Sequence, residues 1–398
     1  MPRARINPCP PSRHGVILNL RQLNGHGVEM RQNPAMPGSL LPPSRDRLAV
    51  IDFARHSVMQ AGGSAQSAVE PWIERSWRRC LAAGRRPEQR LGFDTVSAAA
   101  RRRALDANEP LLQAARPVLG RLSRALASTR YFAILTDGQG VVIDAHGPID
   151  HSDPHAELIT RVGVDLSERS VGTTAIGAAL AELQPVWLHR GEHFFDDTSV
   201  YSCAGAPLFG PDGRCVGMLD LTGINAAERP ELKHLVAQAA RSIENGLVLA
   251  VPQALLLRLN WPGRSLGSED DGLVCLDSEG WVKGSNDAAR QMVPQLASGT
   301  AHCSELFARP WQPFFDAVRR NTPRVPVEVP LWSGLRLLAL PQLPGQPIAP
   351  VGPRVALRDV EISLIRNAVA EAHGNVQQAA RALGISRATV YRKLGSGK

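Results

Sequence analysis

At 398 residues the chain is long enough for two or three folded domains, and with 43% hydrophobic residues its composition is globular rather than disordered or fibrous. Its net charge of +8 is uneven: residues 1–50 hold seven arginines against Glu29 and Asp46 (net +5), and residues 357–398 hold seven basic side chains against Asp359, Glu361 and Glu371 (net +4), so the middle is close to neutral. No run nears the roughly 18 apolar residues of a membrane span, and the six cysteines form no CxxC pair, so a cytoplasmic protein with reduced thiols is expected.

Residues 1–45 are rich in Pro, Arg, Asn and Gly and read as a disordered extension. Residues 46–128 read as a helical segment. Between Val69 and Gly84, the residues Trp72, Ile73, Trp77, Cys80 and Leu81 fall along one face, and Gly84 supplies the stop. A second helix is predicted from about Ser97 through Asn108. A third follows Pro110 and carries Leu111, Leu112, Ala115, Leu119, Leu122 and Leu126. The run Arg101–Arg103 reads as a solvated face.

From 129 to 250 the period changes. Tyr131–Asp144 is predicted as strand, turn, strand, and Ser199–Thr222 as a second hairpin. Between them lie a short helix over Val171–Leu180 and a strand over Pro185–Leu188. A long helix from Glu228 carries Leu232, Leu235, Val236, Ala239, Ile243 and Leu247. Such a pattern builds a sheet flanked by helices. With the Ser76-Trp-Arg-Arg-Cys helix before them, four words of this segment resemble the sensory half of acetoin-catabolism-type regulators. They are Val171-Gly-Thr-Thr-Ala-Ile-Gly, Glu192-His-Phe, Cys203-Ala-Gly-Ala-Pro-Leu and Gly217-Met-Leu-Asp-Leu-Thr-Gly. The fold this implies is a GAF sensor domain over 129–250. A pocket under its long crossover makes Thr173, Thr174, Trp187, His193, Phe194, Tyr201, Cys203 and Asp220 the candidate effector-binding residues. Polar groups at strand edges would orient a small molecule there while Trp187, Phe194 and Tyr201 exclude water.

Residues 265–340 repeat the pattern more faintly. Gly272–Arg290 is strand, Asp-x-x-Gly turn, strand, then a helix begun by Asn286, and Leu331–Leu340 is a late strand. The segment resembles the opening of a PAS domain, which implies a degenerate PAS-like unit with structural duties. Proline then recurs at 341, 344, 347, 350 and 353, the three-residue period of polyproline II, so 341–356 reads as a stiff linker.

The tail, 357–398, carries the sharpest signal. A helix from Leu357 ends at Gly374, and Asn375 can cap a second helix over Val376–Leu383. Gly384 supplies a turn that needs positive φ, and Ser386 caps a third helix. The spacing of Ala380, Gly384 and Val390 suits two helices crossing steeply. Arg387, Thr389, Tyr391, Arg392 and Lys393 then remain outward, the composition of a helix lying in a major groove. The tail resembles the Fis-type helix-turn-helix that closes many sigma-54-dependent activators. That resemblance implies double-stranded DNA as partner and a homodimer, with Asn375, Ser386, Arg387, Thr389, Tyr391, Arg392 and Lys393 as candidate DNA-binding residues.

Family members place an ATPase between sensor and tail. The 106 residues of 251–356 are too few for it beside a PAS-like unit and hold no GxxxxGK[ST] loop, so no nucleotide hydrolysis is expected. No catalytic residue, metal or cofactor is expected either. His146, His151 and His155 lack metal-ligand spacing and read as a polar loop. Some GAF-fold proteins reduce methionine sulfoxide with cysteines, but Cys203 and Cys215 lie in apolar strand contexts that raise thiol pKa. The sequence therefore predicts an α+β multidomain protein: a GAF sensor with a helical N-terminal extension, a PAS-like unit and a three-helix Fis-type tail. Its expected role is a cytoplasmic, ligand-responsive transcriptional regulator, with RNA polymerase as a candidate contact and no membrane partner. The alternative is an adaptor that dimerises with, or competes against, full-length relatives.

Overall fold

The computed structural model describes residues 44–59, 63–65, 68–92, 96–299, 301–319, 326–345, 365, 369 and 375–395. Three expectations lie outside the described residues: the extension up to residue 43, the proline-rich linker beyond 345, and the tail's first helix apart from Ile365 and Val369.

Two five-stranded antiparallel sheets organise the described chain. The first follows four helices, α1 (Ser44–Met59), α2 (Pro71–Ala82), α3 (Ala98–Ala107) and α4 (Glu109–Leu126). Its strands are β1 (Tyr131–Asp137), β2 (Val142–His146), β3 (Val186–His189), β4 (Tyr201–Phe209) and β5 (Cys215–Ile224), in the order β2-β1-β5-β4-β3. The crossover from β2 to β3 holds α5 (Pro154–Thr160), α6 (Glu168–Val171) and α7 (Ala175–Glu182). The helix expected over Val171–Leu180 is thus broken: Gly172 takes φ +68, and the side chain of Thr174 caps α7 by accepting from the Gly177 N–H.

Strand alternation gives the sheet two different faces. Leu219 and Leu221 of β5 turn toward α4 and α8 (Leu232–Leu249), joined by Ala204, Ala206 and Leu208 of β4. Met218 and Ile224 turn the other way, toward α1, α2, α7 and the crossover. A Cβ at Gly205 would stand 2.6 Å from the Met218 Cε and 2.9 Å from the Ala175 carbonyl oxygen, so glycine lets α7 settle directly on β4.

The segment 46–128 is not a separate layer beside this sheet. Ile51, Ala54, Trp72, Ile73 and Trp77 share one core with Phe132, Ile134 and Met218, while Leu111, Leu119 and Leu122 share the opposite core with Leu219 and Leu221. Helix α2 explains the Ser-Trp-Arg-Arg-Cys word. Ser76 and Arg79 bind Glu168 at 2.6–2.7 Å, the Trp77 indole donates to the Glu192 carbonyl oxygen at 2.9 Å, and the Ser76 hydroxyl meets that of Thr173 at 2.7 Å.

The second sheet reaches back further than expected. Its middle strand β6 (Leu255–Asn260) precedes residue 265, and the order is β8-β7-β6-β10-β9 with β7 (Gly272–Leu276), β8 (Val282–Ser285), β9 (Val327–Pro330) and β10 (Arg336–Gln342). The late strand expected over Leu331–Leu340 starts at Arg336, because Leu331 and Leu335 close a turn. Helices α9 (Asp287–Met292), α10 (Cys303–Leu306) and α11 (Gln312–Arg319) cover one face, with Phe307 and Phe314 in the core. Opposite, Arg258 and Asp271 form a buried ion pair at 3.2 Å completed by Gln342 and Asn260. The two sheets are tied where α8 packs Val248 on Leu256, Leu273 and Cys275, and where the Ser285 N–H donates to the Pro211 carbonyl oxygen at 2.9 Å.

Helix α1 grips the loop after β3. The Arg55 guanidinium donates to the carbonyl oxygens of Gly191 (3.2 Å), His193 (2.5 Å) and Phe194 (2.7 Å) and to the Asp196 carboxylate (2.6 Å). Removing it strands partly buried acceptors. Arg55→Ala should cost about 2–4 kcal/mol in urea unfolding, and Arg55→Lys should restore only part, because an ammonium cannot reproduce the fork.

Candidate ligand cavity and nucleic-acid interface

Between the α7 face of the first sheet and the crossover lies a cavity of about 220 Å³. Its floor is Ile134 of β1, Tyr201 and Cys203 of β4, and Asp220 and Thr222 of β5. Helix α5 supplies His155, Leu158 and Ile159, the entry to α7 supplies Thr174, Ala175 and Ile176, and the loop after β3 supplies His193, Asp197 and Thr198. Leu91, Leu166 and Val171 complete the wall. This is smaller than the roughly 300–1,000 Å³ pockets that take drug-sized molecules.

Five of the eight candidate effector residues line it: Thr174, His193, Tyr201, Cys203 and Asp220. Three do not. Trp187 is the plainest correction, since β3 alternates: Leu188 lies opposite Cys203 on the cavity side, so Trp187, opposite Ala204, turns into the α4–α8 core. Phe194 is fully buried, with its ring edge-on to Phe195 at 5.0 Å beneath the Gly172 turn. The Thr173 hydroxyl is taken by Ser76. Sequence reasoning missed Thr222, which alternation places beside Asp220, and the α5 residues, which no period marks.

Most polar lining groups already have partners. The Tyr201 hydroxyl donates to the His155 carbonyl oxygen at 3.1 Å, the His155 ring meets Asp153 at 3.1 Å, and the Asp197 carboxylate accepts from the Leu91 N–H at 3.0 Å. The Thr198 hydroxyl donates to the Phe195 carbonyl oxygen at 2.8 Å, the Cys203 Sγ lies 3.4 Å from the Thr222 hydroxyl, and that hydroxyl donates to Asp220 Oδ2. His193 has a hydrogen-bond partner on one side of its ring, where Nδ1 lies 3.0 Å from the Arg190 carbonyl oxygen. Among the residues that line the cavity, two buried side-chain atoms have no hydrogen-bond partner within the described residues, His193 Nε2 and Asp220 Oδ1. Burial pushes the Asp220 carboxyl up to about 7, against the Thr222 hydrogen bond, and pulls the His193 imidazole down to about 4.

The cysteines do not form a redox pair. Burial raises both thiols, Cys203 well above its usual value. Cys203 pairs across the hairpin with Thr222, whereas Cys215 pairs with Phe209, six residues further along β4, which is roughly 20 Å at strand rise. The loop histidines pair with neighbouring carboxylates instead of converging: His146 with Asp144 at 3.0 Å and His151 with Glu157 at 3.4 Å. Among the described residues no cluster of His, Cys, Asp or Glu is arranged to hold a metal ion, and no helix is long and apolar enough to cross a membrane.

In the tail, α12 (Val376–Ala382) and α13 (Arg387–Gly395) meet through buried Ala380 and Val390, with Ile365 in the same cluster. Asn375 Oδ1 accepts from the N–H groups of Gln377 and Gln378, both at 3.1 Å, and Ser386 Oγ accepts from the Thr389 N–H at 3.1 Å. Gly384 takes φ +65 in the turn. Arg387, Tyr391 and Arg392 are exposed, while Lys393 is half-buried. Thr389 is half-buried too, and its hydroxyl meets that of Ser386 at 2.9 Å, so it faces outward less than the sequence suggested.

Comparison with known proteins agrees with this division. Residues 49–245 match the MimR N-terminal domain, and residues 356–395 match the bacterial regulatory protein, Fis family. The acetoin catabolism regulatory protein of Cupriavidus necator is 30% identical over 62% of this chain and 37% of its own length. The propane 2-monooxygenase operon transcriptional activator MimR of Mycolicibacterium goodii is 30% identical over 49% of this chain and 32% of its own. The signal-transduction and transcriptional-control protein of Clostridium beijerinckii is 29% identical over 47% of this chain and 30% of its own. The matched region thus spans about a third of the length of these curated relatives. Among solved structures, the E. coli DhaR(N)–DhaL complex aligns with a TM-score of 0.43 at 16% identity, over 69% of this chain and 99% of that one. Residues 49–245 thus form a MimR-type N-terminal domain and residues 356–395 a Fis-type helix-turn-helix.

Proposed function

We propose that the chain is a dimeric, DNA-binding transcriptional regulator whose first sheet binds a small effector in the cavity and whose tail reads paired half-sites in DNA. One observation carries this reading: a single chain combines a buried cavity holding two unpartnered polar atoms with a helix pair whose outward side chains are Arg387, Tyr391 and Arg392. An unpaired buried carboxyl costs stability, and such a cost persists at sites that a ligand completes. The stretch between sensor and tail supports action without an ATPase, because 255–342 is occupied by the second sheet. Regulation would then run through repression, through direct polymerase contact, or through competition with longer relatives.

DNA binding is tested by retardation assays on the region upstream of the protein's own gene across a salt series. Arg387→Ala should lose about 1–3 kcal/mol of specific affinity, while Lys393→Ala should weaken all DNA alike and flatten the salt slope by about one ion. Wild-type binding by both variants would remove the groove assignment. For the missing ATPase, saturating Mg²⁺–ATP should neither shift the Tm nor yield phosphate; either response would restore nucleotide chemistry.

The Asp220 carboxyl gives a pH test. Because its folded value is raised, its contribution to stability is complete below the unfolded value of about 4 and is lost as pH rises through about 7. The lowered His193 acts in the opposite sense and only between about 6.5 and 4. Asp220→Asn should therefore gain stability over wild type progressively from about pH 4 to about pH 7, by up to a few kcal/mol, and then level off, while losing the effector response. A Tm difference independent of pH would show that Asp220 ionises freely in the fold.

A further inference from the structure

We propose that the cavity recognises a small uncharged compound through two of its hydroxyl hydrogens, one directed to Asp220 Oδ1 and the other to His193 Nε2. This rests on the cavity being the effector site proposed above, and it names the chemistry of the occupant. Both residues line the cavity, both side chains are no more than 1% exposed, and neither of these two atoms has a partner among the described residues.

Both are acceptors. The carbonyl oxygen of Arg190, 3.0 Å from His193 Nδ1, can only accept, so the imidazole proton sits on Nδ1 and Nε2 carries the lone pair. Asp220 Oδ2 receives the Thr222 hydroxyl, which leaves Oδ1 to accept from something else. The two acceptors come from different elements, the central strand β5 and the loop after β3, so a compound bridging them touches floor and roof together.

Charge narrows the class. No lysine or arginine is among the lining residues, so an organic anion would meet a carboxylate without a counter-ion. An ammonium would have to shed its hydration against walls that are mostly Leu, Ile, Val and Ala. A neutral diol keeps that cost low and satisfies both atoms, whereas a mono-alcohol leaves one of them buried and unpaired.

The test is isothermal titration of the full chain at about pH 8, where the carboxyl is ionised, with 1,2-butanediol, 1-butanol, butanone, butyrate and butylamine. The diol should bind roughly tenfold or more tightly than 1-butanol. Asp220→Leu and His193→Phe should each abolish the diol's preference over 1-butanol, and a cooperative thermal transition retained in each variant reports that the domain is still folded. Tightest binding by butanone, butyrate or butylamine, or a diol preference that survives both substitutions, overturns the two-donor assignment and leaves the cavity as an effector site. A diol that binds as expected without changing DNA affinity upholds the assignment and removes the regulatory reading. No binding by any of the five overturns both.

Discussion

The first sheet depends on its central strand β5 having two unlike faces. One side, Leu219 and Leu221, is plain hydrophobic core under α4 and α8. The other runs Met218, Asp220, Thr222, Ile224, so its apolar ends seal while its polar middle is held under the crossover. Neither face could be solvated without losing the other, since both are covered by helices from the same N-terminal stretch. A one-residue slip of β5 would put two leucines into the cavity and a carboxyl against α8.

Over this strand the cavity roof is held from outside. Arg55 of α1 and Trp77 of α2 bind the backbone of the loop that carries His193, and Arg47 pairs with Glu192 at 3.0 Å. These bonds satisfy the carbonyl oxygens of an irregular segment that has no ladder to join. The loop is therefore fixed from its outer side, and His193 on it contributes to the cavity lining. The same helices that the sequence marks only as an N-terminal helical segment thus set the geometry of the site.

The hairpin of β4 and β5 also links the site to the rest of the chain. Its inner half floors the cavity, and its turn at Pro211 bonds to Ser285 of β8, while α8 runs from the first core into contact with β6 and β7.

The sequence by itself determined the elements with strong local physics. Hairpins at Tyr131 and Tyr201, the Asn286 cap, the α2, α4 and α8 faces, and the tail's cap–glycine–cap arrangement all follow from period, capping and positive φ, which act within a few residues. The tertiary structure decided what depends on distant neighbours. Strand β6 was missed because Leu255-Leu-Leu-Arg-Leu is a short apolar run whose arginine is neutralised by Asp271 and hydrogen-bonded by Gln342, both outside that run. Trp187 and Leu188 look equally apolar, and only pairing with β4 sends the tryptophan away from the cavity. The same holds for Asp220 and His193. Their types and positions were legible, but that one oxygen and one nitrogen would be left without partners in a closed space is set by every other group around them, and no local pattern encodes it.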